Sequence, residues 1–277
     1  MIEVSLKSCD LLYLSVSIME NIGASKTLII VPGINEYKER YYNMANYFYQ
    51  NGFNILLYDM RGHGKSISKE NELGVISDAG KLIDDLVIVY NYAKNRFGGK
   101  DIYVLGDSLG ALVGLNALPQ IKPVKTVLVS PIFSESAIAT LKLLKFMLGI
   151  LGKNGESSYM QSVLGFGSKT VLFSSSVATN EFKSDANCYY NYKNKSIYEI
   201  VRLEANVKKL EFELQNIFLV HGSLDSTLSE KGSLVNLEKY LRQKGANVTS
   251  KDYNAGHKVL FDLNHEVLWQ DILAYFA

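Results

Sequence analysis

The chain has 277 residues, of which 47% are hydrophobic and 21% charged, a composition typical of a soluble globular protein. A formal charge of +1 argues against binding to nucleic acid or to anionic membranes through overall charge, and two cysteines are too few for a disulfide framework or a metal site. The N-terminus lacks the basic start and apolar core of a secretory signal, and no segment reaches the roughly 18 apolar residues of a spanning helix. We therefore expect a cytoplasmic protein.

Strand and helix signals alternate along the first half of the chain. Two segments of alternating polarity, 2–6 and 11–18, predict a hairpin. Short apolar runs predict buried strands at residues 26–31, 53–58, 102–105 and 125–129. The segments between these strands predict helices at residues 39–51, 78–97 and 111–118. This regular alternation predicts an α/β fold whose sheet is mostly parallel, with ligands at the carboxyl ends of the strands.

The alternation breaks between Pro131 and the next predicted strand at 216–220, and it resumes with elements at 231–244, 248–253 and 264–276. A structureless loop of that length is improbable inside a compact domain. We therefore predict a core formed by residues 1–133 and 211–277, with an inserted helical subdomain at 134–210.

The predicted insert begins with an apolar helix at 137–151, and its wide apolar face allows two interpretations. The face either packs against the body of the protein or forms a lid over an apolar pocket, with transient contact to a membrane surface. A glycine- and serine-rich segment at 152–167 follows this helix. Tyrosines farther along the insert are expected to line a wet cavity with their hydroxyls: Tyr189, Tyr190, Tyr192 and Tyr198.

A serine lies between two glycines in the segment Gly106-Asp107-Ser108-Leu109-Gly110. A predicted buried strand precedes this G-x-S-x-G motif and a predicted helix follows it, which is the context that a nucleophilic serine requires. The tight turn brings backbone segments so close that the flanking positions must lack a Cβ atom. We predict that Ser108 is a nucleophile.

A serine hydroxyl needs an imidazole base, which in turn needs a carboxylate that holds it in one tautomer. In α/β-hydrolases these residues follow the order Ser, acid, His. His257 lies in a loop after the last predicted strand, whereas His265 begins a helix, where packing or capping is its expected role. For the acid we favour Asp225, which follows a strand, over Asp252 within a strand and Asp262 after the histidine.

These motifs resemble those of the monoacylglycerol lipase and lysophospholipase group of α/β-hydrolases, also called hydrolase-4. The segments that carry the resemblance span the predicted core: 33–36 with Arg40-Tyr41, 59–66, 106–110, His221-Gly222 with Asp225, and Gly256-His257. The resemblance implies a serine esterase with an acyl-enzyme intermediate, no metal and no cofactor. It also implies an oxyanion hole formed by the amides of Ile34 and Leu109, and a structural role for His63 in bracing a loop.

The chain departs from the pattern of this group at two positions. Pro32-Gly33 stands where the group usually has His-Gly, and Asp107 stands where it usually has a histidine. A carboxylate beside the nucleophile should favour the protonated imidazole and oppose the oxyanion, which would shift the activity profile to higher pH. In the alternative interpretation, Asp107 points away from the site and bonds to neighbouring backbone.

The resulting hypothesis is a serine hydrolase that cleaves small, lipid-like carboxylic esters and does not bind nucleic acid. The apolar insert points to an acyl chain as the recognised part of the substrate. Other chemistry on the same triad, such as a thioesterase, peptidase or haloperoxidase, remains a competing interpretation, because one fold supports many reactions. A third interpretation is a degenerate hydrolase that binds a ligand without turnover.

Overall fold

A computed structural model describes residues 1–99, 101–157, 171–188, 192–211, 213–225 and 233–277. Residues 158–167 of the predicted glycine- and serine-rich segment lie outside the described residues. Tyr189, Tyr190 and the predicted helix start at Lys231 lie outside them as well.

The strands of the described residues form one eight-stranded sheet in the order β1-β2-β4-β3-β5-β6-β7-β8. The strands are β1 (Ile2–Lys7), β2 (Tyr13–Met19), β3 (Lys26–Val31), β4 (Phe53–Tyr58), β5 (Asp101–Asp107), β6 (Thr126–Val129), β7 (Asn216–Gly222) and β8 (Asn247–Tyr253). β1 pairs antiparallel with β2, and β2 pairs antiparallel with β4. All other neighbouring strands are parallel. The predicted hairpin and the mostly parallel sheet are therefore confirmed.

Helices cover both faces of this sheet. They are α1 (Tyr42–Gln50), α2 (Ala79–Arg96), α3 (Leu109–Ala117), α4 (Ala137–Leu151), α5 (Ser176–Ser184), α6 (Asn194–Val207), α7 (Ser233–Gln243) and α8 (His265–Phe276). Side chains of α2, α3, α6 and α7 share one apolar cluster with alternate strand residues such as Ile29 and Val31. α1 and α8 bury their apolar residues in a second cluster with Leu28 and Ile30 on the opposite face. This alternation follows from the two-residue period of a strand.

β3 lies between β4 and β5, so the chain leaves β3 toward one side of the sheet and later returns to the other side. At such a reversal the loops after neighbouring strands separate and leave a crevice at the carboxyl edge of the sheet. The loop after β3 and the turn after β5 carry the predicted oxyanion residues and the predicted nucleophile. The topology thus brings these two motifs, far apart in sequence, to one place.

Between β6 and β7 the described residues contain α4, α5 and α6. α6 packs on α3 and on α4, and its buried positions include Ile197, Ile200 and Leu203. α4 buries Ala137 and Leu144 on one side, while Phe146 and Ile150 are each 69% exposed. The helix predicted at 137–151 is therefore confirmed, with part of its apolar surface packed and other apolar side chains exposed to solvent.

The sequence interpretation of this region missed α5, whose composition is mostly polar, with Phe182 as its only fully buried side chain. Among the helices of the described residues, none combines the length and the apolar composition needed to cross a bilayer.

Candidate active site

Ser108 occupies the turn between β5 and α3 with φ +52° and ψ −110°, a conformation that is strained for a residue with a side chain. β5 continues to Asp107 and α3 begins at Leu109, so a single residue makes the turn. A Cβ atom on Gly106 would lie 2.4 Å from the carbonyl oxygen of Gly110. A side chain at Gly106 would therefore collide with the backbone of α3, as the sequence predicted. The turn holds Ser108 at the carboxyl end of a central strand.

His257 lies in the loop after β8, within hydrogen-bonding distance of both partners that the sequence predicts. Its Nε2 is 2.8 Å from Ser108 Oγ, and its Nδ1 is 2.7 Å from Asp225 Oδ2. With the ring proton on Nδ1, the imidazole donates to the carboxylate and accepts from the serine hydroxyl. The side chains of His257 and Asp225 are fully buried, as is Ser108, so the hydrogen-bonded chain is shielded from water.

The loops after β7 and β8 place Asp225 beside His257. A Cβ atom on Gly222 would lie 2.1 Å from the carbonyl oxygen of Gly256, so only glycine permits this approach. The amide of Leu224 also donates to the carbonyl of Ala255 at 3.0 Å. The strand register and these contacts together bring the carboxylate within reach of the imidazole.

The loop after β3 packs directly on the nucleophile turn. A Cβ atom on Gly110 would lie 2.2 Å from the carbonyl oxygen of Val31 and 2.4 Å from that of Pro32. Ile34 and Leu109 are buried beside this contact, and Leu109 is the first residue of α3, where amides lack intrahelical acceptors. An oxyanion hole uses backbone amides as its donors.

The other histidines have other contacts, including Tyr192 Oη at 3.4 Å from His63 Nε2 and Asp252 Oδ1 at 3.0 Å from His221 Nδ1. His63 is buried, with Nδ1 3.0 Å from the carbonyl oxygen of Arg61, as a loop-bracing role requires. His265 begins α8, and its Nδ1 lies 2.9 Å from the carbonyl oxygen of Asp262. His221 lies within β7.

One interpretation of the sequence was that Asp107 bonds to neighbouring backbone. In the structure its carboxylate contacts the side chain of Tyr41 instead. Asp107 lies in a buried group of side chains behind the nucleophile, together with Glu36, Tyr41 and Lys258. The Tyr41 hydroxyl is 2.8 Å from Asp107 Oδ2, and it also donates to the Glu36 carboxylate. Lys258 Nζ lies 3.3 Å from Glu36 Oε1 and 3.5 Å from Asp107 Oδ2. We call these four residues the charge cluster.

The charge cluster perturbs the ionisation of its members. Burial raises the pKa of Asp107 to about 6, although the positive charge of Lys258 opposes this shift. Burial also disfavours the charged form of Glu36, but Lys258 and Arg40 outweigh it and hold the pKa of Glu36 below its usual value. The two carboxylates raise the pKa of Lys258 despite its burial. Near neutral pH the cluster therefore contains two carboxylates and an ammonium ion.

The predicted insert touches two of the loops at the candidate site. The amides of His257 and Lys258 donate to the carbonyls of Val171 and Leu172 at 3.0 and 2.8 Å. The buried Tyr192 hydroxyl accepts a hydrogen bond of 3.1 Å from the amide of Asn35. Tyr192 thus binds the loop that carries Ile34, instead of facing the wet cavity that we expected.

Lys258 and the backbone contacts at 171–172 escaped the sequence interpretation. The available signal for Lys258 was a charge reversal: an acidic residue directly precedes the serine, and a basic residue directly follows the histidine. The local sequence around Val171 does not indicate that its carbonyl accepts a hydrogen bond from His257, 86 positions later in the chain. Hydrogen bonds between backbone groups do not depend on the side chain.

The family model described as serine aminopeptidase, S33 (Hydrolase_4) matches residues 23–264. The chain belongs to this family. A monoglyceride lipase homolog of monkeypox virus is 30% identical over 122 residues, which is 43% of this chain and 43% of the relative, so less than half of that relative is matched. A probable lysophospholipase L2 of Haemophilus influenzae is 23% identical over 260 residues, covering 88% of this chain and 78% of the relative.

Solved structures of similar fold cover almost the whole chain. A thermostable carboxyl esterase from Bacillus coagulans superposes with a TM-score of 0.86 at 16% identity, covering 99% of this chain and 97% of the esterase. A soluble variant of the Saccharomyces cerevisiae monoglyceride lipase gives a TM-score of 0.75 at 16% identity, covering 96% and 92%. At such identities the likeness establishes the fold, and the predicted α/β-hydrolase architecture is confirmed.

Proposed function

We propose that this Hydrolase_4 member is a serine hydrolase that cleaves carboxylic esters with an acyl chain. The observation that carries the proposal is the buried hydrogen-bonded chain from Ser108 Oγ through His257 to Asp225, at 2.8 and 2.7 Å. A serine oxygen in contact with an imidazole whose other nitrogen faces a carboxylate is equipped for nucleophilic attack. The esterases, lipases and lysophospholipases among the relatives support ester chemistry over the alternatives.

The proposed reaction begins when Ser108 Oγ attacks the ester carbonyl carbon and its proton passes to His257 Nε2. The carboxylate of Asp225 stabilises the imidazolium, and the amides of Ile34 and Leu109 donate to the oxyanion. The C–O bond then breaks, and His257 returns the proton to the departing alcohol. A water molecule then gives a proton to His257 and attacks the acyl carbon of the acyl-enzyme. The bond between this carbon and Ser108 Oγ breaks, His257 returns the proton to Ser108 Oγ, and the carboxylic acid is released.

The substrate class rests on the apolar surface of the predicted insert. α4 exposes four large apolar side chains, Ile138, Leu143, Phe146 and Ile150, on a helix that also exposes Lys142 and Lys145. An acyl chain that buries methylene groups against such residues gains about 0.8 kcal/mol for each group. We propose the insert as the acyl-binding element and Asp225, His257 and Ser108 as the catalytic residues, without a metal or cofactor.

Reaction with a fluorophosphonate probe tests the nucleophile. We expect the wild type to become covalently labelled at Ser108 and the Ser108→Ala variant to lose labelling, because the variant lacks the hydroxyl that lies 2.8 Å from His257 Nε2. Ser250→Ala, which removes an exposed hydroxyl on β8, is the matched control and should label as the wild type does. A folded wild type that does not react would support the ligand-binding interpretation instead.

A panel of p-nitrophenyl esters from acetate to dodecanoate, followed by monoacylglycerols and lysophospholipids, tests the substrate class. We expect kcat/KM to rise with chain length as methylene groups become buried. A preference for acetate over octanoate would contradict an acyl-binding role of the insert. Amino acid p-nitroanilides form the parallel arm for peptidase activity, and turnover of these substrates alone would contradict the ester proposal.

A further inference from the structure

Three of the four chain segments that carry proposed catalytic groups also carry one member of the charge cluster, and the loop of Asp225 is the exception. Glu36 lies two residues after Ile34, Asp107 directly precedes Ser108, and Lys258 directly follows His257. The loops follow β3, β5 and β8, which are separate strands of the sheet. The cluster is therefore a point at which the oxyanion loop, the nucleophile turn and the histidine loop meet through side chains.

Lys258 occupies the centre of this meeting point. Its ammonium lies between Glu36 Oε1 at 3.3 Å and Asp107 Oδ2 at 3.5 Å, and the residue is only 2% exposed. A Cβ atom on Gly33 would lie 2.9 Å from Lys258 Nζ, so the oxyanion loop closes tightly over the ammonium. The lysine thus contacts the oxyanion loop and the nucleophile turn, while its own backbone belongs to the histidine loop.

A second cation lies next to the charge cluster. The guanidinium of Arg40 is 3.8 Å from Glu36 Oε1 and 3.1 Å from Asp185 Oδ2. The ring of Phe182 covers both cations, with its centroid 4.4 Å from Arg40 Cζ and 5.6 Å from Lys258 Nζ. An ion pair shielded from water in this way is costly to break, because the partner left behind remains a buried, uncompensated charge.

We propose that Lys258 is a positioning residue that joins the oxyanion loop, the nucleophile turn and the histidine loop through its ion pairs with Asp107 and Glu36. This inference rests on the proposed function of Ser108 and His257. Asp107 and Lys258 form a matched pair: the lysine supplies the positive charge that makes a carboxylate acceptable beside the nucleophile. Since misplacement of reacting groups by about 1 Å can slow catalysis on the order of 100-fold, the pair acts on the rate of reaction at Ser108.

Three variants test the pair: Lys258→Met, Asp107→Asn and the double variant, which removes both charges and keeps the balance. We expect Lys258→Met to lower both the fluorophosphonate labelling rate of folded protein and kcat for p-nitrophenyl octanoate by about tenfold or more, with KM changed by less than about threefold. The double variant should react faster than Lys258→Met and more slowly than the wild type. Lys65→Met removes an exposed ammonium from a surface ion pair with Glu39, and as the control it should react as the wild type does.

Several outcomes would overturn the inference. A folded Lys258→Met variant that reacts at the wild-type rate would show that the lysine does not position the loops. If the rate reductions of Lys258→Met and Asp107→Asn simply multiply in the double variant, the two side chains are not coupled, and Asp107 is not the partner of Lys258. Urea unfolding shows whether Lys258→Met folds. If it does not, the double variant, which removes one charge of each sign, is compared with the wild type. Slower fluorophosphonate labelling of the double variant supports the inference, and labelling at the wild-type rate contradicts it.

The Ser108→Ala variant separates this inference from the proposed function. Labelling that persists in Ser108→Ala would contradict the proposed nucleophile, and with it the positioning role. Labelling that is lost in Ser108→Ala but unchanged in folded Lys258→Met and in the double variant would contradict the positioning role alone.

Discussion

A carboxylate directly before the proposed nucleophile is an unfavourable neighbour for a reaction that builds negative charge on the substrate. In this chain the charge of Asp107 is buried against Lys258, and the Tyr41 hydroxyl lies 2.8 Å from its Oδ2. Burial raises the pKa of Asp107 to about 6, so the carboxyl group is neutral in acid and ionised near neutral pH. The effect of the residue on the site therefore changes within the range in which an imidazole titrates.

We predict that Asp107→Asn shifts the acid limb of the kcat/KM profile to lower pH. Above about pH 6 Asp107 carries a negative charge directly before the nucleophile, which favours a protonated base at the site, whereas asparagine carries no charge. Charged and titratable groups facing Asp107 are Glu36, Tyr41, His257 and Lys258. Measurement of kcat/KM for p-nitrophenyl octanoate between pH 4 and 9 checks this prediction. Identical pH profiles of the wild type and Asp107→Asn would mean that the charge of Asp107 does not affect the imidazole.

At the scale of secondary-structure elements, close backbone contacts hold the candidate site together. α3 starts directly beneath the carboxyl end of β3, and the last residue of β7, Gly222, touches Gly256 in the loop after β8. The predicted insert is joined to these loops by two sets of hydrogen bonds. The carbonyls of residues 171–172 accept from the histidine loop, and the hydroxyl of Tyr192 accepts from the amide of Asn35. Those parts of the insert are anchored to the catalytic loops, while α4 carries exposed apolar side chains such as Phe146 and Ile150.

Two glycines of α3 provide a matched test of this packing. We predict that Gly110→Ala destabilises the protein by several kcal/mol, because its Cβ atom would lie 2.2 Å from the carbonyl oxygen of Val31. Gly114→Ala adds the same methyl group one turn later, where the nearest atoms are 3.8 Å away. It should be neutral or stabilising by up to about 1 kcal/mol, since alanine favours the helix.

Urea unfolding of both glycine variants measures the difference in the free energy of unfolding. Equal stability of the two variants would show that the loop after β3 can move away from α3. In that case the contact would not fix the position of Ile34 relative to Ser108.

At the scale of the whole molecule, buried carboxyl groups link the stability of the fold to pH. Asp59 follows β4, is fully buried, and accepts hydrogen bonds from the amides of Lys38 and Lys65 at 2.8 and 2.9 Å. Burial raises its pKa from 3.8 to about 6, and the charge of Glu39 adds to this shift while the amides oppose it. An acid whose pKa is higher in the folded state loses stabilising free energy as pH rises between its unfolded and folded values.

We predict that the free energy of unfolding of Asp59→Asn, relative to the wild type, rises between about pH 4 and pH 6. The wild-type group loses up to about 3 kcal/mol across this window, whereas asparagine does not titrate and keeps one acceptor oxygen. Urea unfolding at several pH values checks the slope. The exposed Asp101→Asn variant is the control and should give no comparable change; a constant difference for Asp59→Asn would contradict the prediction.

The sequence by itself determined the order and type of most core elements, and it predicted Ser108, Asp225 and His257 as members of the candidate site. Apolar runs marked the strands because a buried parallel strand needs apolar side chains on both faces. The glycines around Ser108 marked the turn because no larger residue fits there. Ser108, Asp225 and His257 could be chosen from the sequence because their chemistry and chain order restrict the alternatives.

Only the tertiary structure decided where the charges of the site lie. The neighbours of Asp107 come from the loops after β3 and β8, and no local pattern records that Lys258 and Glu36 meet there. The same holds for the contacts of residues 171–172 and of Tyr192 with the catalytic loops. The physical reason is that burial and Coulomb interaction depend on distances through space, whereas strand, helix and turn preferences act between residues that are close in sequence.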